Sequence, residues 1–410
     1  MAANSRAGSK AKRRNRIIVG LLGNCSDAAP GAARLARDCR HVHVAAATLR
    51  AMSTPASATE DALADAAGAG LRWVCDGESG YRRKRAGRGF DYRDAEGRPV
   101  RDPDTLARIR ALAIPPAWTD VWICRSPRGH LQATGRDARG RKQYRYHARW
   151  RQVRDDNKYA RLVAFADALP KLRRRLRADL RRPGWPREKV LALVVALMAQ
   201  TLCRVGNDEY ARSNRSYGLT TLRNRHAEYL RGGRLRLRFR GKAGKEHDLQ
   251  VEDARLAKLV RGCQELPGQA LFQYVDDDGA VVPVDSADVN AWLQAVCGED
   301  FTAKDFRTWG GTLLAFRLLA ATPLPEPGRD GRIAASAIAA AQKQVVADVA
   351  AALGNTVAVC RKAYIDPRVF AGWEDGRLAA FAARCRGGRQ WEAALRRFLA
   401  RGNGRAATRN

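Results

Sequence analysis

The chain reads as an α+β protein, with a small, mostly β N-terminal domain ahead of a larger, mainly α-helical one. Three observations carry this. Between Leu71 and Trp150, short runs such as LRWVCD and WTDVWIC are broken by Gly, Pro and Asp, the pattern of strands joined by turns. From about Asp155 onward, apolar residues recur at helical spacing. Inside that helical part, the stretch RLRLRFRGKAGKEHDLQV alternates strictly, which belongs to a β-hairpin.

In chain order, residues 1–70 are rich in Ala, Ser, Gly and basic side chains with weak periodicity, and read as a disordered extension. Residues 71–152 form the β domain. In the helical region, 153–380, Lys158 to Leu169 has one apolar face, Pro170 interrupts it, and Lys171 to Arg182 follows with a cationic outer face. Pro186 suits the first turn of the next helix, whose apolar run from Val190 to Cys203 marks a core element. In the hairpin, Leu235, Leu237 and Phe239 face inward and Arg236, Arg238 and Arg240 outward, with Gly241 and Gly244 bracketing a turn that carries Lys242 and Lys245. Helices follow from Ala303 to about Leu319 and from about Ala334 to Leu353, the second ended by Gly354 in the left-handed region. Residues 381–410 read as a C-terminal helix and a basic tail.

Composition narrows the partner. The 410 residues carry 75 Lys plus Arg against 42 Asp plus Glu, a net charge of +33 spread over the whole chain. A fold this basic repels itself and meets something anionic, most simply a polyphosphate backbone. Solubility alone does not require a charge so far from zero. The nine cysteines include no CxxC pair, the histidines show no metal-ligand spacing, and no HExxH, EF-hand or Walker A pattern occurs. The expectation is a catalyst or binder with neither metal nor nucleotide cofactor. The longest apolar run is shorter than the roughly 20 residues that span a bilayer, and IIVGLLG after Arg16 is short for a signal-peptide core. The reading is a cytoplasmic protein.

Four places carry candidate chemistry. Thr302 and Asp305 form a capping-box pattern, so Lys304 and Arg307 lie in the first turns of a helix, an anion site or a pair of solvated cations. In CRVGNDEYARSN, Arg204 emerges where a buried helix meets a polar edge, and either snorkels or grips a ligand. Lys242 on its tight turn reaches into a groove or stands in solvent. In GNTVAVCRKAYIDPRV, Tyr364 sits beside Arg361 and Lys362 on a segment of about two turns that Pro367 stops; such a tyrosine is structural, stacks, or attacks. Attack on a phosphodiester needs cations for the pentacoordinate transition state, an acid for the leaving 5′-oxygen and a donor for a non-bridging oxygen. Arg204, Arg307, Lys242, Asn355 and Tyr364 supply that set if the fold gathers them.

Taken together, these blocks resemble the type IB DNA topoisomerases of the small bacterial and poxvirus kind, over roughly residues 70–380. IPPAWTDVWIC and GHLQATGRDARGRKQYRYH resemble the N-terminal DNA-clamping domain. CRVGNDEY, SYGLTTLRNRH, FRGKAGKEH, KDFRTWGG and GNTVAVCRKAYIDP resemble the catalytic domain, in family order. The resemblance implies a tyrosine recombinase/type IB topoisomerase kind of catalytic domain and a clamp around duplex DNA. It implies that Tyr364 is the nucleophile forming a 3′-phosphotyrosyl bond, that Arg204 and Arg307 stabilise the transition state and that Lys242 is the general acid. Lys304 resembles a lesser active-site lysine that touches DNA, and Gln143, Tyr144, Tyr146 and Tyr210 resemble DNA-contacting positions. Where the family commonly has histidine, this chain has Asn355, a neutral donor in place of a charged one. Arg361 and Lys362 are expected to hold the DNA backbone. The implied activity relaxes both signs of supercoil without ATP or magnesium, in a nucleoid-associated monomer with double-stranded DNA as partner. A tyrosine site-specific recombinase and a non-catalytic DNA-binding protein are the alternatives.

Overall fold

The computed structural model describes residues 56–298 and 300–403. It divides into two compact units, with the boundary between Tyr159 and Ala160.

The first unit opens on helix α1 (Ala56–Gly68). The sequence reading assigned residues 1–70 to a disordered extension, and α1 corrects this for its own span; residues 1–55 lie outside the described residues. The physical reason is a small apolar stripe. Ala62 and Ala66 pack with Leu71 on Trp150, and alanine costs a helix the least side-chain entropy of any residue. The unit's sheet has five strands, β1 (Gly80–Ala86), β2 (Gly89–Arg93), β3 (Thr119–Cys124), β4 (Leu131–Arg136) and β5 (Lys142–Tyr146), in the order β2-β1-β3-β4-β5, all antiparallel. Helix α2 (Pro103–Ala111) covers it, placing Ile109 on Val121, Ile123 and Ala133. LRWVCD forms no strand of its own: Arg72 bridges to Gly129 just before β4, and Asp76 accepts from Thr134 of β4 and pairs with Lys142 of β5.

Helix α3 (Ala148–Asp179) begins in the first unit and ends in the second. The sequence reading broke it at Pro170, and the structure carries it through. Proline inside a helix removes one hydrogen bond and costs about 3 kcal/mol. Against that cost stands a buried stripe, Leu162, Phe165, Leu169, Leu172 and Leu176, that continues in register on both sides of Pro170. At roughly 1.5–3 kcal/mol per buried side chain, the stripe outweighs the kink.

The second unit is built around α4 (Arg187–Thr201), in which every residue from Val190 to Ala199 is buried. It is followed by α5 (Asp208–Asn214) and the antiparallel strands β6 (Ala227–Leu230), β7 (Arg234–Arg240) and β8 (Glu246–Val251). The alternation sorts as expected: Leu235, Leu237 and Phe239 are buried, and the intervening arginines face outward. Then come α6 (Ala254–Gln264), the short pair β9 (Gln273–Val275) and β10 (Val281–Pro283), α7 (Ser286–Cys297), α8 (Ala303–Ala320), α9 (Ala335–Leu353), α10 (Val357–Ala363), α11 (Pro367–Glu374), α12 (Arg377–Ala382) and α13 (Gly388–Asn403). Phe165 of α3 meets Phe301, Phe306 and Trp309 edge-on or tilted, which seats α8 against α3. Phe316 on the same helix receives Trp391 and Phe398 of α13.

Replacing Pro170 with alanine restores the missing N–H donor in a helix that its buried stripe already carries past this position. Pro170→Ala is expected to stabilise the second unit by about 1–3 kcal/mol, seen as a rise in its thermal transition by differential scanning calorimetry.

Candidate active site

The site forms where three chain segments end. Leu202 closes α4 in the left-handed region, which turns the chain so that Arg204 leaves the core helix at a new angle. The segment after it is fixed by backbone pairing: Leu219 N–H donates to Arg204 O and Thr220 N–H to Val205 O. Gly206 and Gly218 make this possible, because a Cβ on Gly218 would lie 2.6 Å from the Gly206 Cα. Two of the sequence blocks, CRVGNDEY and SYGLTTLRNRH, are thus one structural piece.

Arg307 lies one turn into α8 and is 4% exposed. Its guanidinium donates to Leu202 O and, over 2.9 Å, to Leu353 O. Both acceptors sit at helix C-termini, α4 and α9, where carbonyls lack helical partners and the dipole is negative. Arg307 Nε is buried and has no hydrogen-bond partner among the described residues. The guanidinium carbon stands 5.0 Å from the centre of the Tyr364 ring.

Gly354 ends α9 with φ of 62°, and Asn355 N–H closes the turn on Ala350 O. The turn drops Asn355 into the site. Its Oδ1 accepts from Arg204, and its Nδ2 is buried without a partner among the described residues. Thr356 then caps α10, at whose C-terminal end Tyr364 stands. The nucleophile candidate is held from behind by α8. Thr312 Oγ1 donates to Tyr364 O (3.4 Å) and accepts from Asp366 N–H (3.2 Å). A Cβ on Gly311 would come within 2.6 Å of Tyr364 O, so only glycine lets α8 approach this closely.

Charge is concentrated and unbalanced. Among the described residues, neither Arg204 nor Arg307 is paired with a carboxylate. Burial raises the Tyr364 phenol, but the charge and hydrogen bond of Arg307, with Arg204 and Lys304, outweigh it and bring its pKa below the ordinary 10.0. Burial, and then the neighbouring Arg307, lowers Arg204. The nearby thiols do not compete as nucleophiles: burial lifts Cys203 to about 11 and Cys360 to about 12.

The structure therefore brings Tyr364, Arg204, Arg307 and Asn355 together, with Lys304 exposed on the first turn of α8 and close enough to act on the phenol. Lys242 stands exposed at the β7–β8 tip, and no hydrogen bond or ion pair among the described residues joins it to the others. Tyr210 on α5 is half exposed. In the first unit, Tyr144 and Tyr146 project from the same face of β5 and stack at 5.9 Å, 47% and 38% exposed, with Lys142 over the Tyr144 ring. Gln143 faces the other way and donates to Asp137, so strand alternation separates it from the pair. Arg361, exposed near the end of α10, donates to Gln342 Oε1 at 2.7 Å and lies over Phe370, and so ties α10 to α9 and α11. Sequence reasoning missed Gly311, Thr312 and His247, although all three lie in or beside the blocks KDFRTWGG and FRGKAGKEH.

A phenol whose acidity is raised by two guanidiniums that meet no carboxylate among the described residues, next to buried N–H donors, has the chemistry that a tyrosine-based phosphoryl transfer calls for. Comparison with known proteins gives the family. Residues 147–370 match the model of the eukaryotic DNA topoisomerase I catalytic core, and residues 89–137 that of the bacterial DNA topoisomerase IB N-terminal domain. A 290-residue stretch is 33% identical to DNA topoisomerase 1B of Acanthamoeba polyphaga mimivirus, covering 70% of this chain and 85% of the relative. The chain belongs to the type IB DNA topoisomerases, isomerases that act on DNA and change its topology through a transient covalent break.

Two outcomes follow from this geometry. Gly311→Ala is expected to keep the fold but displace Tyr364, slowing single-turnover cleavage by about 10-fold or more, since a misplacement of ~1 Å costs up to ~10²-fold. The cleavage rate should rise with pH and level off below the ordinary phenol value of 10.0, and Arg307→Gln should move that inflection upward as well as slow the reaction.

Proposed function

We propose that Tyr364 is the nucleophile of this topoisomerase, and that Arg204, Arg307 and Asn355 form the pocket for the scissile phosphate. The observation that carries the reading is the pair of buried donors without acceptors, Arg307 Nε and Asn355 Nδ2, beside the Tyr364 ring. Buried N–H groups are rarely left unpaired, and a phosphate oxygen satisfies both at once. Arg307 supports the phenolate and one non-bridging oxygen. Arg204 supports the other, and Asn355, its Oδ1 already engaged by Arg204, turns its amide towards the phosphate.

Attack by the Tyr364 oxygen on phosphorus expels the 5′-oxygen. Lys242, on its exposed turn, supplies the proton to that leaving group. The product is a 3′-phosphotyrosyl bond and a free 5′-hydroxyl, which re-attacks after rotation and reseals the strand. Because Asn355 donates without titrating, it contributes the same hydrogen bond at every pH where the fold persists. A neutral donor contributes roughly half of what a charged one does.

The two units close around the duplex as a clamp, and the catalytic unit has the tyrosine recombinase kind of architecture. The stacked, exposed Tyr144 and Tyr146 with Lys142 give the first unit an aromatic and cationic face for DNA, and Tyr210 gives the second an exposed contact. A protein with net charge +33 neutralises many phosphates, so affinity falls steeply with salt. It works as a monomer, without nucleotide.

The decisive experiment is relaxation of positively and negatively supercoiled plasmid in EDTA without ATP. Wild type is expected to relax both and to yield a denaturant-trapped covalent adduct; Tyr364→Phe should bind DNA with unchanged affinity yet give neither relaxation nor adduct. Full activity of Tyr364→Phe would remove the tyrosine from its role. Products confined to one defined site would indicate a site-specific recombinase instead.

A further inference from the structure

Lys245 stands three residues beyond Lys242, on the same turn, and its amine reaches across the site. Its Nζ donates to the Asn355 carbonyl at 2.7 Å. Its own carbonyl accepts from Gly241 N–H at 2.7 Å, closing the turn on which Lys242 is carried. One residue therefore holds the mouth of the hairpin with its backbone and the end of α9 with its side chain.

His247 reinforces the same junction. It stacks on its cross-strand partner Phe239, with ring centres 4.9 Å apart and planes 10° from parallel. The ring fills the gap between the two elements: a Cβ on Gly241 would lie 2.5 Å from His247 Cδ2, and one on Gly354 would lie 2.5 Å from His247 Cε1. Burial, with Arg204, Arg307 and Lys245 close by, pushes the imidazole down to about 4, so the wedge is neutral and adds no charge to the junction. The turn beyond it is tight, with Ala243 at φ of 62° and Gly244 at 75°, and these backbone values fix the direction in which Lys242 leaves it.

We propose that Lys245 is a positioning residue for protonation of the leaving group: its bond to Asn355 O braces the hairpin against the phosphate pocket and sets where Lys242 delivers its proton. The inference rests on the reading of Lys242 as the general acid. Lys245 touches neither phosphate nor leaving oxygen in this scheme. It acts through the turn.

The test separates proton delivery from every other defect. Two duplexes carry one cleavage position mapped from wild-type adducts. One has the ordinary 5′-oxygen linkage, and the other has a 5′-bridging sulfur, whose thiolate leaves without a proton. Lys245→Met is expected to cleave the oxygen substrate about 10-fold or more slowly, a part of the ~10²–10⁴-fold that a positioned acid supplies, and to cleave the sulfur substrate within about 3-fold of wild type. Lys245→Arg, which keeps a long cationic donor, should recover most of the oxygen rate. Equal slowing on both substrates, no slowing on either, or an arginine variant as slow as the methionine one would overturn the proposal. Lys242→Ala runs alongside: if sulfur fails to rescue it, the general-acid reading falls and this inference with it. If sulfur rescues Lys242→Ala but not Lys245→Met, the inference alone falls.

Discussion

A buried positive charge that meets no carboxylate among the described residues is the constraint on which the second unit turns. Arg307 is withdrawn from water on a helix that is apolar along most of its length, and desolvating an ion costs several kcal/mol. The fold meets that cost with dipoles in place of a counter-ion, because Leu202 O and Leu353 O bring two helix C-termini onto one guanidinium. A carboxylate would have neutralised the charge and silenced it toward an incoming anion. Two carbonyls hold the side chain in place and leave its charge unneutralised. Fixed donors aimed at developing charge are the largest single source of catalytic power in most enzymes.

The rest of the site is arranged around that guanidinium by close backbone approach. Gly206 against Gly218 sets Arg204, Gly354 sets Asn355, and Gly311 with Thr312 sets Tyr364. The contacts at Gly218 and Gly311 are with main-chain atoms, which leaves few rotamers to choose from, and Gly354 meets the ring of His247. The long side chains that remain are secured secondarily: Arg204 by the Asn355 amide, and Arg361 by Gln342, which also donates to Glu374. The helix that carries Tyr364 is thereby tied to both α9 and α11, so its position is a property of the helical core and not of α10 alone.

Much of this was legible in the residues. The alternation of Leu235, Leu237 and Phe239, the capping box at Thr302 and Asp305, and the glycine stop at Gly354 are local signals, and local physics decides them. The gathering of Arg204, Arg307, Asn355 and Tyr364 followed from the family resemblance of five ordered blocks, because no spacing rule brings together positions up to 160 residues apart. What escaped was tertiary. Pro170 looks like a break until the stripe on both sides is seen to be buried, and the Ala-rich span after residue 55 looks featureless until Trp150 is there to receive it. Gln143 and Tyr144 are neighbours in sequence and therefore opposites on a strand. Lys242 and Lys245 differ only by their places on a turn, yet one reaches Asn355 and the other stands in solvent.

The anchoring of the Tyr364 main chain has a mechanical corollary. With its carbonyl pressed against Gly311 and engaged by Thr312, the residue is a fixed post on the core. On the role proposed for Tyr364, a strand end bonded to such a post inherits its immobility, and torsional strain in the helix is released by the opposite end spinning about the intact strand. The post is the stator and the unattached end the rotor, and the drag on that rotor comes from whatever protein surface surrounds it, not from the covalent joint.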